Sequence, residues 1–122
     1  GDSTFSGCTL LQSVAFSQGS VLTTMGDSTF SGCIGLKTIV FPTMLTTLGD
    51  STFSGCTLLQ SVAFSPGSIL TTMGNSTFSG CTGLETIAFP STLMTLGDST
   101  FSGCDGLLSV TFPSESILTI LG

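Results

Sequence analysis

The chain has 122 residues and a single basic side chain, Lys37, against seven acidic ones, for a formal charge of −6. That length suits one domain, and that charge excludes the basic surface that nucleic acid or an anionic membrane needs. His, Trp, Tyr and Arg are all missing, so the usual general base, the commonest metal ligand and a bidentate anion clamp are absent together, and no enzyme is expected.

Ser and Thr number 41 while charged residues make up only 7%, so hydroxyls must cover the surface. The string G-[DN]-S-T-F-S-G-C starts at Gly1, Gly26, Gly49, Gly74 and Gly97. It divides the chain into 1–25, 26–48, 49–73, 74–96 and 97–121, and Gly122 opens a further unit. Units therefore alternate between 25 and 23 residues. In the long units Ser17-Gln18-Gly19-Ser20 and Ser65-Pro66-Gly67-Ser68 replace the Pro42-Thr43 and Pro90-Ser91 of the short ones, and such insertions belong in surface loops. The chain reads as an excerpt of a longer array or as a subunit that stacks on copies of itself, because no polar cap is visible at either end.

Within each unit the first element is Asp-Ser-Thr-Phe-Ser-Gly. An N-cap residue, one turn of chain and a glycine suited to a left-handed terminus predict a single helical or 3₁₀ turn. The second element, C-x-x-L-x-x-[VI]-x-F, ends in period-2 alternation from Val14 to Phe16, which predicts a short strand with Ser13 and Ala15 facing outward. The third, L-T-T-[ML]-G as in Leu45 to Gly49, is a second extended run. A pleat there aims the adjacent Thr46 and Thr47 to opposite faces.

Apolar types keep to fixed positions. Phe5, Phe30, Phe53, Phe78 and Phe101 form one column, and Phe16, Phe41, Phe64, Phe89 and Phe112 a second. Further columns run through Cys8, Leu11, Val14, Leu22 and Met25 and their equivalents. Identical coils stacked around one core, roughly 4.8 Å apart, produce this pattern.

The combination of F-x-x-C-x-x-L with a following [VI]-x-F, as in Leu93 to Cys104 and onward, resembles the BspA-like (Treponema-type) leucine-rich repeats over the whole chain. The resemblance implies a mainly β, right-handed solenoid of five coils. It also implies a place on bacterial or protist surfaces and a part in adhesion. The chain departs from the family in its fixed Thr before Phe and its near absence of charge.

Four groups of residues stand out. Cys8, Cys33, Cys56, Cys81 and Cys104 share a core register without any C-x-x-C pair, and read as a ladder of buried free thiols rather than a metal site. Asp2, Asp27, Asp50, Asn75 and Asp98 form a second column. Each is expected to cap its own turn, with calcium bridging the carboxylates as the alternative. Asn75-Ser76-Thr77 is an N-glycosylation sequon. The outward strand positions Ser13, Thr38, Ser61, Thr86 and Ser109, beside Ala15, Val40, Ala63, Ala88 and Thr111, make a flat face of small uncharged side chains. Together these features lead us to expect an extracellular structural or surface protein whose coils stack end to end into a fibre. Its partners are then identical copies, with glycans or other surface proteins beside them. The alternative is an adhesin-type or ice-binding module using the small-residue face.

Overall fold

The computed structural model describes residues 2–121. Gly122, expected to open a further unit, and the side chain of Leu121, expected in the core, lie outside what it describes. Each coil contributes two short strands. The first set comprises β1 (Ser13–Val14), β3 (Thr38–Phe41), β5 (Ser61–Phe64), β7 (Thr86–Ala88) and β9 (Ser109–Thr111). The second comprises β2 (Thr24–Met25), β4 (Thr47–Leu48), β6 (Thr72–Met73), β8 (Thr95–Leu96) and β10 (Ile120–Leu121). They assemble in chain order into two parallel five-stranded sheets, each coil serving as the crossover that a parallel pair requires. Equivalent residues face one another throughout, as in Thr38 beside Ser61 and Thr47 beside Thr72. The molecule is a parallel β-solenoid.

The apolar columns meet between the sheets. Phe53, Cys56, Leu59, Leu70 and Met73 are fully buried, and the first phenylalanine column stacks almost face-parallel at 5.3 to 6.1 Å between ring centroids. Spacings in that range are favourable for offset aromatic pairs.

The expected helical or 3₁₀ turn is absent from the described residues, and its hydrogen bonding explains why. The N–H groups of Ser28, Phe30 and Gly32 do not close a helix. They donate to the carbonyls of Asp50, Thr52 and Ser54 in the next coil, each at 2.8 Å. Only three-residue closures remain inside the segment, such as Ser31 N–H to the Ser28 carbonyl at 3.1 Å. Ser28 and Gly32 both take left-handed φ, 55° and 73°, so no run of right-handed helical dihedrals can form. The segment is a stack of turns bonded along the solenoid axis. Glycine suits the second left-handed position because it has no Cβ to clash there, while the serine column sits in a region that costs a non-glycine residue roughly 1–2 kcal/mol.

Candidate functional site

The ten small outward residues come together on one face. Ser13, Thr38, Ser61, Thr86 and Ser109 are all exposed and pair in register, and Ala15, Val40, Ala63, Ala88 and Thr111 are exposed beside them, Val40 paired with Ala63 and Ala88 with Thr111. No ionisable group interrupts these two rows. The second sheet carries hydroxyls as well. Thr46 and Thr47 bring their Oγ1 atoms within 3.5 Å of each other, as do Thr71 and Thr72, where a pleat had been expected to send them to opposite faces. Thr46 precedes the strand that begins at Thr47, so the alternation does not yet apply to it.

The cysteine column is a ladder of free thiols with graded burial. Cys33, Cys56 and Cys81 are buried, Cys104 is half-buried and Cys8 is exposed, so the expected burial holds only where a coil lies on both sides. Cys33, Cys56, Cys81 and Cys104 each donate to the carbonyl of the phenylalanine one coil back, Cys56 Sγ to Phe30 O at 3.2 Å and Cys81 Sγ to Phe53 O at 3.2 Å. Burial pushes the Cys56 thiol up to about 12, with the neighbouring Cys33 adding to the rise, and it pushes Cys81 up as well. Thiols held neutral in this way are poor nucleophiles and poor metal ligands.

The acidic column works between coils. Asp2 Oδ1 accepts the backbone N–H of Asp27 at 2.9 Å, Asp27 that of Asp50 at 2.8 Å, and Asp50 that of Asn75 at 2.8 Å. Asn75 Oδ1 continues the row by accepting from Asp98 at 2.8 Å. The expected partner was an N–H of the same turn, but those N–H groups already point along the axis to the next coil. Gly49, Gly74 and Gly97 make room for this ladder: a Cβ on Gly49 would strike the carboxylate of Asp27 and sit 2.7 Å from its backbone nitrogen. Among the described residues no group of three His, Cys, Asp or Glu side chains could hold a metal ion.

Asn75 is exposed, but its sequon partner Thr77 is fully buried and donates its hydroxyl to the Gly74 carbonyl at 2.7 Å. An enzyme reading Asn-x-Thr would have to meet this segment before it folds. Thr77 belongs to the column of fixed Thr before Phe, whose burial was not expected. Thr52, Thr77 and Thr100 are 0 to 3% exposed, and each binds the carbonyl three residues back at 2.7 Å. Thr occupies this position in all five units, at Thr4, Thr29, Thr52, Thr77 and Thr100, but the serine columns at Ser3 and Ser6 and their equivalents are equally constant, so constancy alone did not mark the threonines as buried.

Comparison with known structures places this geometry among bacterial repeat proteins. The chain is similar to the pneumococcal vaccine antigen PcpA at 28% identity and a TM-score of 0.76, the match covering 82% of this chain and 24% of that one. A leucine-rich repeat protein from Bacteroides ovatus matches at 27% identity and a TM-score of 0.61, over 95% of this chain and 35% of the other. The leucine-rich repeat protein of T. pallidum shares the fold at 21% identity and a TM-score of 0.57, over 80% of this chain and 57% of that one. The chain thus spans about a quarter to a little over half of these proteins' lengths. A comparison with curated proteins gave no match. The family model described as BspA type leucine rich repeat region (6 copies) matches residues 1–121, and the chain belongs to that family.

Proposed function

We propose that this chain is a non-enzymatic structural section of an extracellular or cell-surface solenoid, whose coils stack end to end into an elongated fibre. The observation that carries the reading is the sameness of the turn stack at every coil–coil junction. Each junction repeats the same bonds from Ser, Phe and Gly N–H groups to Asp or Asn, Thr and Ser carbonyls, together with the acidic ladder. A contact that relates units by translation is head-to-tail and does not close on itself, so it propagates for as long as matching coils are supplied. The relatives support the surface setting, since one is a vaccine antigen and another, from Faecalibacterium prausnitzii, is described as a leucine rich cell surface protein.

Electron microscopy of the purified chain at high concentration tests the stacking. Filaments of uniform width are expected, with fibre diffraction giving an axial repeat near 4.8 Å set by strand spacing. Light scattering that finds discrete monomers and no elongated species would overturn it.

A further inference from the structure

The alternation of long and short coils leaves clefts along one edge of the first sheet. One, of about 350 Å³, lies over Pro42 and Thr43 of a short coil, between the long-coil loops at Ser17–Ser20 and at Ser65 and Pro66. A second, of about 460 Å³, lies over Pro90 and Ser91 of the next short coil, on the other side of the loop Ser65–Ser68. Their floors are two coils apart, or about 9.6 Å at the strand spacing. That advance is close to one disaccharide of an extended β-linked glycan.

The linings match such a ligand. Phe16 lines the first cleft and Phe64 the second, and both rings are half-buried with part of their surface toward solvent. Prolines lie beside each ring, Pro42 and Pro66 in the first cleft and Pro90 in the second. Apolar walls of this kind suit the C–H faces of pyranose rings. Ser17, Gln18 and Thr43 line the first cleft and Ser91 the second, and among the described residues their side chains make no hydrogen bond, which leaves them available to sugar hydroxyls. Neither lining contains an ionisable side chain, and the chain's charge of −6 opposes a polyanion.

We infer that these clefts form a row of subsites for a neutral, β-linked oligosaccharide lying along the solenoid axis, one disaccharide to each pair of coils. The row lies on the lateral surface, so it works on a single chain and on a stacked array alike.

Titration of the purified monomeric chain with the neutral hexasaccharides cellohexaose and mannohexaose, alongside heparin, tests this by calorimetry. Saturable binding of at least one neutral hexasaccharide and none of heparin is expected. Replacing Ser65-Pro66-Gly67-Ser68 by the Pro-Thr of a short coil removes the wall common to both clefts, and should weaken binding at least tenfold. Should that exchange disturb folding, the paired substitution Ser17→Ala and Thr43→Ala, both at exposed positions, decides the matter with an expected loss of at least threefold. No saturable binding of either neutral sugar, binding of heparin alone, or undiminished binding by folded variants would overturn the inference. Because the readout is a monomer in solution, its failure leaves end-to-end stacking standing, and a failure to form filaments leaves the subsites standing.

Discussion

Long and short coils carry the same core columns, yet they treat their second phenylalanine differently. In the short coils Phe41 and Phe89 are 1 and 3% exposed, and each meets a first-column ring of the next coil edge-on or tilted, Phe53 at 5.6 Å and Phe101 at 6.0 Å. In the long coil that lies between them, Phe64 is only half-buried although coils flank it on both sides, and its ring pairs with Phe41 and Phe89 of its own column. The cause is the connection that follows. Pro42-Thr43 turns at once, with Leu45 N–H bonded to the Pro42 carbonyl at 3.3 Å, whereas the long loop needs its own turn from Ser65 to Ser68 before the chain returns to the core. Two inserted residues therefore leave the fold intact and release one aromatic ring to the surface, which shows how a solenoid can alter its exterior without altering its stacking.

Truncation of the two rings breaks this comparison most directly. Phe41→Ala should cost ~3–5 kcal/mol, the range for a fully buried phenylalanine, and Phe53→Ala the same. Phe64→Ala should cost roughly half as much, since less apolar area leaves water when its ring packs. Urea denaturation of the three variants measures this, and equal losses at positions 41 and 64 would show that the long loop does not relax the core.

The thiols sharpen the contrast by showing what coil length leaves alone. Cys56 belongs to a long unit and Cys81 to a short one, and both are fully buried with raised values whose first cause is burial. The unfolded chain releases such protons near 9.0, while the folded chain holds the Cys56 proton up to about 12. The unfolded state therefore binds fewer protons across that window, and stability should be complete below pH 9 and decline as pH climbs toward 12. Denaturant midpoints at pH 8, 10 and 11 measure the decline. Thiol labelling of the folded chain at pH 8 should modify Cys8 and spare Cys56 and Cys81 equally.

The two long loops that contain a glycine differ from each other in a smaller way. Gly67 has φ +81° while Gly19 lies outside the left-handed region, and neither would bring a Cβ within 4 Å of another atom. Gly67→Ala should therefore lose ~1 kcal/mol to backbone strain. Gly19→Ala should gain ~0.5 kcal/mol, because it restricts only the unfolded chain. Thermal or urea melts of the pair test the difference, and opposite signs are the expected result.

The sequence discloses the columns, the coil lengths and the outward rows because each depends on side-chain identity at a fixed register. It conceals the hydrogen bonding of the turn. Asp-Ser-Thr reads locally as a helix N-cap, and nothing in one coil reveals that Ser28, Phe30 and Gly32 send their N–H groups to the coil above. The exposure of Phe64 was hidden for a similar reason, since its column position is the same as that of Phe41 and only the loop that follows separates them. A threonine beside phenylalanine looks like surface, and its recurrence is matched by serine columns that are not buried, so the burial of Thr52 and Thr77 was not legible.

The smallest expected effect concerns the acidic ladder, which both coil types share. Asn75 accepts the next coil's N–H at the same 2.8 Å as Asp50 does, so the ladder needs a side-chain oxygen rather than a charge. Asp50→Asn should accordingly change stability by less than ~0.5 kcal/mol, with a slight gain because the charge beside Asp27 is removed, and the difference from the parent should shrink as salt screens like charges. Asp50→Ala removes the acceptor and should cost ~1 kcal/mol, the usual loss when a backbone N–H loses a capping side chain. A chelator should leave the melting temperature unmoved. If Asn costs as much as Ala and the chelator lowers the melting temperature, the carboxylates are holding a cation rather than the neighbouring backbone.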